Sequence, residues 1–234
     1  MIDDSPRKVL LLGATGAVGG YVLAEVLRSP VFTTVTTLGR RPAPLPMEVM
    51  VPPGKLAQHV VDVADPSSYR HLLSGHTDAI CTLGVGDPSK LPREEVWRIE
   101  VDYVVAFAAA CREAGVERFS LMTSVGSDSS SRFYFLKMKG TLEERIKELD
   151  FPRLRIFRPS MILTQKNRYG LSQAITLLVW PNLNWALQGS LRAARGIRVE
   201  DLGRAIGLDA VRGQRDDGAR VYTWDDFQAI LTVG

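Results

Sequence analysis

The chain has 234 residues, of which 45% are hydrophobic and 24% are charged, and its formal net charge is +3. This length and composition are those of a globular protein with one full core, and they exclude an intrinsically disordered chain. The small net charge gives no support to nucleic-acid binding, and no segment reaches the ~20 apolar residues that a membrane-spanning helix needs.

Strands and helices alternate along the chain. Strands are predicted at 8–12, 35–38, 58–61, 79–83, 118–122 and 154–157, and helices at 17–28, 66–73, 94–114 and 133–149. A helix opened by Glu200-Asp201, a strand at Val221-Tyr222 and a last short helix follow. This alternation predicts an α/β fold, a doubly wound parallel sheet of order 3-2-1-4-5-6 that Val221-Tyr222 extends by a seventh strand. No repeat or linker divides residues 1–234, so we expect one domain, with a small substrate lid at about 160–200.

A glycine-rich turn joins the first strand to the first helix. Glycine stands at every third position of Gly13-Ala-Thr-Gly16-Ala-Val-Gly19. This spacing allows a tight bend, a close approach to a pyrophosphate, and tight packing of helix on strand. The backbone N–H groups and the dipole at a helix N-terminus then favour an anion. The turn predicts a dinucleotide site with contacts from Gly13, Thr15, Gly16, Ala17, Val18 and Gly19.

The end of the second strand indicates which dinucleotide is bound. Gly39-Arg40-Arg41 stands there, without a carboxylate. In such sites a carboxylate binds the ribose 2′-hydroxyl of NAD, whereas an arginine accommodates the 2′-phosphate of NADP. The planar fork of guanidinium donors suits phosphate oxygens. Arg40 and Arg41 therefore predict NADP(H), with a pair of merely solvated arginines as the alternative.

Two further strand ends are expected to reach the cofactor, because ligands of such sheets bind beyond the carboxyl ends of the strands. Asp62 and Val63 follow the third strand, and Leu83 and Gly84 end the fourth. Asp62 is predicted to accept a hydrogen bond from the adenine amino group. A local turn bond of its carboxylate is the alternative.

The cysteines and histidines predict neither disulfides nor a metal site. Cys81 and Cys111 lie in apolar segments and are expected to be buried free thiols, which favours a reducing, cytoplasmic location. The N-terminus lacks the apolar core of a signal peptide. His59, His71 and His76 lack metal-ligand spacing, so we expect no metal.

The arginines of the sixth strand are interpreted as solvated. Arg153, Arg155 and Arg158 alternate along it, and Arg158 is the member that could approach a cofactor or an anionic substrate. Exposed aromatic residues interleaved with basic ones would indicate nucleic acid, and the chain lacks a convincing set. We therefore predict no nucleic-acid partner.

Several motifs together resemble an extended or atypical short-chain dehydrogenase/reductase. Besides the glycine turn and Gly39-Arg40-Arg41, these are Thr123-Ser124, Lys139-Gly140 and Arg158-Pro159-Ser160. The resemblance covers nearly the whole chain and is greatest to the small Tat-interacting-protein-like NAD(P)-binding oxidoreductases. It implies a Rossmann-type fold, binding of NADPH with Thr123, Lys139 and Pro159 among the contacts, and an unassigned substrate.

The same resemblance implies a catalytic serine and a Tyr-xxx-Lys pair. In the family the tyrosine exchanges a proton with the carbonyl oxygen, the lysine lowers the tyrosine pKa and holds the nicotinamide ribose, and the serine binds the reacting oxygen. Ser124 and Lys139 match, but Phe135 stands four residues before Lys139. Tyr134 would lie about 140° from Lys139 on a regular helix. Phe135 is interpreted as packing, in an apolar stripe with Met138, Leu142, Ile146 and Leu149.

Three interpretations of the shifted pair remain open. Tyr134 reaches the substrate from an irregular helix start, partnered by Lys137. Alternatively, Lys139 is retained only to hold the ribose, in a weak enzyme or a binding protein. In the third interpretation another donor serves, such as Tyr103, Tyr169 or a water.

Two functions are therefore predicted. The first is NADPH-dependent reduction of an unidentified small carbonyl compound by hydride transfer, with Ser124, Tyr134 and Lys139 as catalytic residues. The alternative is an NADPH-binding regulatory or interaction protein with little or no turnover. The sequence predicts neither an oligomeric state nor a protein partner.

Overall fold

The computed structural model describes residues 6–45, 48–164, 188–213 and 217–233. Its strands are β1 (Arg7–Leu12), β2 (Phe32–Gly39), β3 (Leu56–Val60), β4 (Asp78–Cys81), β5 (Arg118–Met122), β6 (Arg153–Phe157), β7 (Ile162–Leu163), β8 (Ile197–Arg198) and β9 (Gly218–Tyr222). Seven of them form one parallel sheet in the order β3-β2-β1-β4-β5-β6-β9. The predicted strand order and the seventh strand are confirmed.

Helices flank this sheet. They are α1 (Ala17–Arg28), α2 (Arg93–Trp97), α3 (Tyr103–Glu113), α4 (Tyr134–Lys147), α5 (Val199–Arg212) and α6 (Trp224–Thr232). A π-helical segment at Arg98–Asp102 joins α2 to α3, so the helix predicted over 94–114 is interrupted. The short helix predicted at 66–73 is instead two turns of 3-10 helix, Pro66–Ser68 and Arg70–Leu72.

The core has two apolar layers, one on each face of the sheet. Successive side chains of a strand point to opposite faces. In β1, Leu10 and Leu12 accordingly pack in the layer formed with α3 and α4, whereas Val9 and Leu11 pack in the layer formed with α1, α5 and α6. A strand covered on both faces reads as a continuous apolar run, which explains Val9–Leu12.

One buried ion pair joins β1 to β4, and another joins β6 to α5. Arg7 donates to the Asp78 carboxylate at 2.9 Å, and Arg153 donates to that of Asp209 at 2.9 Å. Arg153 and Arg155 are both buried. The interpretation of these two arginines as solvated is therefore wrong, because β6 lies inside the sheet between β5 and β9.

The predicted lid is described only at its two ends. There β7 pairs in parallel with β8 and forms a small second sheet. Residues 165–187, which include most of the predicted lid and Tyr169, lie outside the described residues. Cys81 and Cys111 are buried and free, as predicted. Over the described ranges no helix is long and apolar enough to cross a membrane.

Candidate cofactor site

The turn between β1 and α1 has the shape that its glycines predict. Gly13 has φ +98°, a conformation that glycine adopts without strain. A Cβ at Gly13 would lie 2.6 Å from the carbonyl carbon of Thr82, and a Cβ at Gly19 would lie 2.1 Å from the carbonyl oxygen of Gly13. Side chains at these two positions would therefore collide with backbone.

Two adjoining cavities lie beyond the carboxyl ends of the strands. The first, of about 380 Å³, is lined by Leu12, Gly13, Thr15, Gly16, Leu38, Gly39, Arg40, Arg41, Val63, Thr82, Leu83 and Gly84. The second, of about 490 Å³, shares Arg40, Val63, Leu83 and Gly84 with the first and adds, among others, Asp62, Arg98 and Tyr103. Together they form a cleft that runs from the glycine turn across the ends of β2, β3 and β4. Ala17, Val18 and Gly19 follow the turn in the first turns of α1.

The two arginines after β2 lie at the rim of this cleft. Arg40 and Arg41 are exposed and both line the first cavity. No described residue forms an ion pair with either guanidinium. Both are therefore available to an anion in the cleft.

Asp62 forms the local turn bond that the sequence offered as the alternative to an adenine contact. Its Oδ1 accepts a hydrogen bond from the backbone N–H of Ala64 at 3.0 Å. It also lines the second cavity together with Val63. The local bond and the adenine contact are thus compatible.

A buried glutamate organises the ends of β5 and β6. Glu143 of α4 accepts a hydrogen bond from the Thr123 hydroxyl at 2.7 Å. Its two carboxylate oxygens also accept from Nε and Nη2 of Arg158, at 2.9 and 2.5 Å. Arg158 is therefore fixed by a two-point ion pair rather than solvated. The carbonyl oxygen of Pro159 accepts from Val125 N at 2.9 Å, which joins the segments after the two strands.

Ser124 belongs to a loop that packs on α4 beside Lys139. Its hydroxyl donates to the carbonyl oxygen of Val125 at 3.3 Å. A Cβ at Gly140 would lie 2.1 Å from the nitrogen of Ser129, so the loop touches the backbone of the helix. In the pair Lys139-Gly140, the lysine is the candidate contact to the nicotinamide ribose. The glycine lets the loop that contains Ser124 pack against α4.

Lys139 is held by a carboxylate that sequence reasoning missed. Its Nζ donates to Oε2 of Glu100 at 2.5 Å, and both side chains are buried. Oε1 of Glu100 accepts from the backbone N–H of Val85 at 2.6 Å. Glu100 lies in the π-helical segment, 39 positions before its partner. The available signal was an acid immediately before Val101, within the apolar stripe of the predicted helix.

Tyr134 lies beside the cleft rather than in it. It is the first residue of α4, its hydroxyl donates to the carbonyl oxygen of Arg93 at 2.7 Å, and its ring centroid is 6.4 Å from that of Trp97. It lines an open hollow with Arg93, Trp97, Arg98 and others, which adjoins the second cavity at Arg98, and it lines neither cavity of the cleft. The helix begins regularly at Tyr134, so the irregular start that would have redirected its hydroxyl is absent, and this position gives no support to Tyr134 as a proton donor.

Phe135 is not packed in the core. Its side chain is 41% exposed, whereas Met138, Leu142 and Ile146 are buried. The interpretation of Phe135 as part of that stripe is wrong, because the stripe begins one turn later.

The chain resembles known proteins in sequence. Residues 13–150 match the family described as NAD(P)H-binding. "Protein HTATIP2" of Rattus norvegicus is 34% identical over 160 residues, which are 68% of this chain and 64% of the rat protein. The match thus spans less than two thirds of that relative. "Protein fmp52, mitochondrial" of Emericella nidulans is 29% identical over 218 residues, covering 90% of this chain and 91% of the relative.

Solved structures show the same fold at lower identity. MoeE5 in complex with UDP-glucose and NAD matches with a TM-score of 0.65 and 19% identity, over 97% of this chain and 81% of that chain. The Bordetella bronchiseptica enzyme WbmG in complex with NAD matches with a TM-score of 0.64 and 16% identity, over 98% and 78%. The chain therefore belongs to the NAD(P)H-binding family, as an atypical short-chain dehydrogenase/reductase of the HTATIP2 type that binds a nicotinamide cofactor.

Proposed function

We propose that the cofactor is NADP(H). The supporting observation is the position of Arg40 and Arg41, which line the cleft, carry no described ion-pair partner and replace the carboxylate expected for NAD. Charge-assisted hydrogen bonds of this kind contribute about 1.5–3 kcal/mol each. The cleft also fits a dinucleotide, because side chains are excluded at Gly13 and Gly19, where the backbone must approach the pyrophosphate.

The residues of the chain divide the remaining work. When bound, NADPH supplies a hydride to the carbonyl carbon of a substrate. Lys139 holds the nicotinamide ribose, and the amides of the glycine turn face the pyrophosphate. The Ser124 hydroxyl donates a hydrogen bond to the carbonyl oxygen and so favours the negative charge that develops there. Thr123 and Pro159 keep the strand ends in place around it.

We further propose that the chain reduces a small carbonyl compound slowly. Phe135 has no proton to give, and the Tyr134 hydroxyl donates to Arg93. A positioned general acid contributes about 10²–10⁴-fold in rate, so its loss slows reduction without abolishing it. The oxygen is then protonated from water, which balances the reaction as carbonyl plus NADPH plus a proton giving alcohol plus NADP⁺.

The second candidate is an NADP(H)-binding regulatory or interaction protein without turnover. Phe135 in place of a tyrosine, and the Tyr134 hydroxyl that donates to Arg93, also favour this candidate. A binding protein needs the cleft and Lys139 but no proton donor. It differs from the first candidate in one measurable respect, the oxidation of NADPH by a carbonyl substrate.

The test uses the purified full chain. Calorimetry with NADPH and NADH measures binding, and loss of NADPH absorbance across a panel of small aldehydes and ketones measures turnover. For a reductase we expect turnover that Ser124→Ala reduces while the Kd for NADPH stays the same. Tight binding with no turnover on the whole panel supports the second candidate, and no affinity for either nucleotide contradicts both.

A cytoplasmic location and a single domain with a lid at about 160–200 stay predictions. Buried free thiols support the first, although fungal relatives such as the Emericella nidulans protein carry the word mitochondrial in their names. Packing of α5 and α6 in one layer with α1 supports the second. Fluorescence microscopy of the tagged full chain tests the location.

A further inference from the structure

Glu100 is a buried carboxylate with two partners from different elements, Lys139 of α4 and Val85 of the loop after β4. One oxygen accepts from the ammonium of Lys139 at 2.5 Å, and the other from the N–H of Val85 at 2.6 Å. Its side chain is 3% exposed. A carboxylate buried to this degree is costly unless it is paired and hydrogen-bonded, and these two partners meet that requirement.

The surrounding backbone is arranged around this carboxylate. Glu100 lies in a π-helical segment, a local widening of the helix that is found frequently at functional sites. A Cβ at Gly84 would lie 3.2 Å from Oε1 of Glu100, a very tight contact, so glycine gives the carboxylate its room. Gly84 also lines both cavities of the cleft. The carboxylate therefore connects the loop after β4 with the helix that carries Lys139.

Glu100 is the only carboxylate that pairs with Lys139 among the residues that the structure describes. Glu143, one turn later on α4, is already paired with Arg158 and hydrogen-bonded to Thr123. Cys81 of β4 lies near the pair, but burial raises the pKa of its thiol to about 12, so it stays neutral. The direction of the lysine side chain therefore depends on Glu100.

We propose that Glu100 is a positioning residue of the cofactor site, which fixes the Lys139 ammonium where it meets the nicotinamide ribose. This inference rests on the proposed function, in which Lys139 holds that ribose. The carboxylate acts through the lysine and touches no reacting atom. Its charge, rather than its volume, is what the site requires.

The test compares Glu100→Gln, Glu100→Asp and Lys139→Met with two probes, NADPH and adenosine 2′,5′-bisphosphate. The bisphosphate has the adenine half of the cofactor and lacks the nicotinamide ribose. Glu100→Gln keeps the shape of the side chain and an acceptor for Val85 N–H but removes the charge. Asp102→Asn is the matched control, because Asp102 lies in the same π-helical segment and forms an exposed pair with Arg145.

We expect Glu100→Gln to weaken NADPH binding about tenfold, the loss of one charge-assisted hydrogen bond. Binding of the bisphosphate should stay within about twofold, as should both probes on Asp102→Asn. Glu100→Asp should bind NADPH better than Glu100→Gln, since it restores the charge in a poorer shape. The double variant Glu100→Gln/Lys139→Met should bind no worse than Lys139→Met, because Glu100 acts through the lysine.

Stability provides an independent check of the pair. Lys139→Met leaves Glu100 buried without a counter-charge, so its melting temperature should lie below that of the double variant. If Glu100→Gln fails to fold, the test compares Glu100→Asp with the wild type. The expected result is weaker binding of NADPH and unchanged binding of the bisphosphate.

Three results would overturn the inference. The first is that Glu100→Gln weakens the binding of NADPH and of the bisphosphate equally, and the second is that Glu100→Asp binds NADPH no better than Glu100→Gln. The third is that the double variant binds NADPH worse than Lys139→Met, with the losses of the two single variants adding up. In each of these the wild type still binds NADPH, so the proposed function stands. A wild type that binds neither probe overturns both.

Discussion

The ring centroid of Phe135 lies 6.0 Å from Nζ of Lys139. At this separation an ammonium is attracted to the face of an aromatic ring. The two residues are four positions apart, so their side chains lie about 40° apart on one face of α4. An aromatic ring therefore stands beside the candidate ribose lysine, as the family pair requires, and it lacks only the hydroxyl.

Phe135→Tyr is expected to raise NADPH oxidation in the presence of a carbonyl substrate. The new hydroxyl would be a proton donor beside Lys139, and a positioned general acid contributes about 10²–10⁴-fold. We expect at least the lower end of this range, measured as kcat under saturating NADPH. The partial exposure of Phe135 leaves room for the added oxygen.

Tyr134→Phe is the matched control for that experiment. The Tyr134 hydroxyl donates to the backbone carbonyl of Arg93 and lines neither cavity of the cleft, so its removal should leave NADPH oxidation within about twofold and lower stability by about 1 kcal/mol. A loss of turnover in Tyr134→Phe, with no gain in Phe135→Tyr, would assign the proton to Tyr134 after all.

Arg40→Ala is expected to reduce the preference for NADPH over NADH. Removing one charge-assisted contact to the 2′-phosphate costs about 1.5–3 kcal/mol, or roughly 10–150-fold in the Kd for NADPH, and leaves the Kd for NADH nearly unchanged. Calorimetry with both nucleotides measures the difference. Arg70→Ala is the control, because Arg70 forms an exposed pair with Glu113 outside the cleft. Equal affinity of the wild type for NADPH and NADH contradicts the phosphate contact.

Substitutions at two adjacent glycines of α1, Gly19 and Gly20, distinguish an effect on the glycine turn from an effect on the helix. A Cβ at Gly19 would lie 2.1 Å from the carbonyl oxygen of Gly13, whereas a Cβ at Gly20 meets nothing closer than 3.9 Å. Gly19→Ala should displace the turn, destabilise the protein by about 1–3 kcal/mol and abolish NADPH binding. Gly20→Ala should stabilise it by about 0.5–1 kcal/mol, since alanine favours a helix, and leave binding intact. Urea unfolding and calorimetry measure both, and similar effects of the two substitutions contradict the proposed close approach.

The alternation of apolar runs and amphipathic segments was enough to predict the sheet. β5 and α1 begin and end where the sequence predicts, and most other elements agree within a few residues, because their apolar periodicity and their terminating prolines and glycines are local signals. The π-helical segment was not predicted, since no residue between Arg98 and Asp102 interrupts the helical pattern.

Charged residues inside the molecule were the part that the sequence concealed. Arg153 reads as solvated because its partner Asp209 lies 56 positions away, on a helix that packs against the sheet only in the folded chain. Glu100 and Lys139 are separated in the same way. The cofactor turn, in contrast, is a contiguous motif whose spacing has a backbone reason. A site built from one continuous segment could thus be predicted from the sequence, whereas ion pairs between residues far apart in the sequence could not.

His76 makes stability depend on pH. Burial lowers the pKa of His76 from its ordinary value of 6.5. Its Nδ1 lies 3.1 Å from the carbonyl oxygen of Leu73 and its Nε2 lies 2.9 Å from the Thr36 hydroxyl. As the pH falls below 6.5, the unfolded chain takes up a proton before the folded one does. The contribution of neutral His76 to the free energy of unfolding is therefore fully present above that pH. Below it, the free energy of unfolding falls by up to about 1.4 kcal/mol per pH unit.

His76→Gln is expected to remove this part of the slope. Urea unfolding of the wild type and the variant, on both sides of pH 6.5, gives the free energy of unfolding at each pH. The absolute stability of His76→Gln also reflects its altered hydrogen bonds, so the change of stability with pH is the quantity compared. His71→Gln, at an exposed position five residues earlier, should keep the slope of the wild type. Parallel curves for the wild type and His76→Gln would mean that the imidazole is protonated equally easily in both states, and that its burial beside Thr36 does not favour the neutral form.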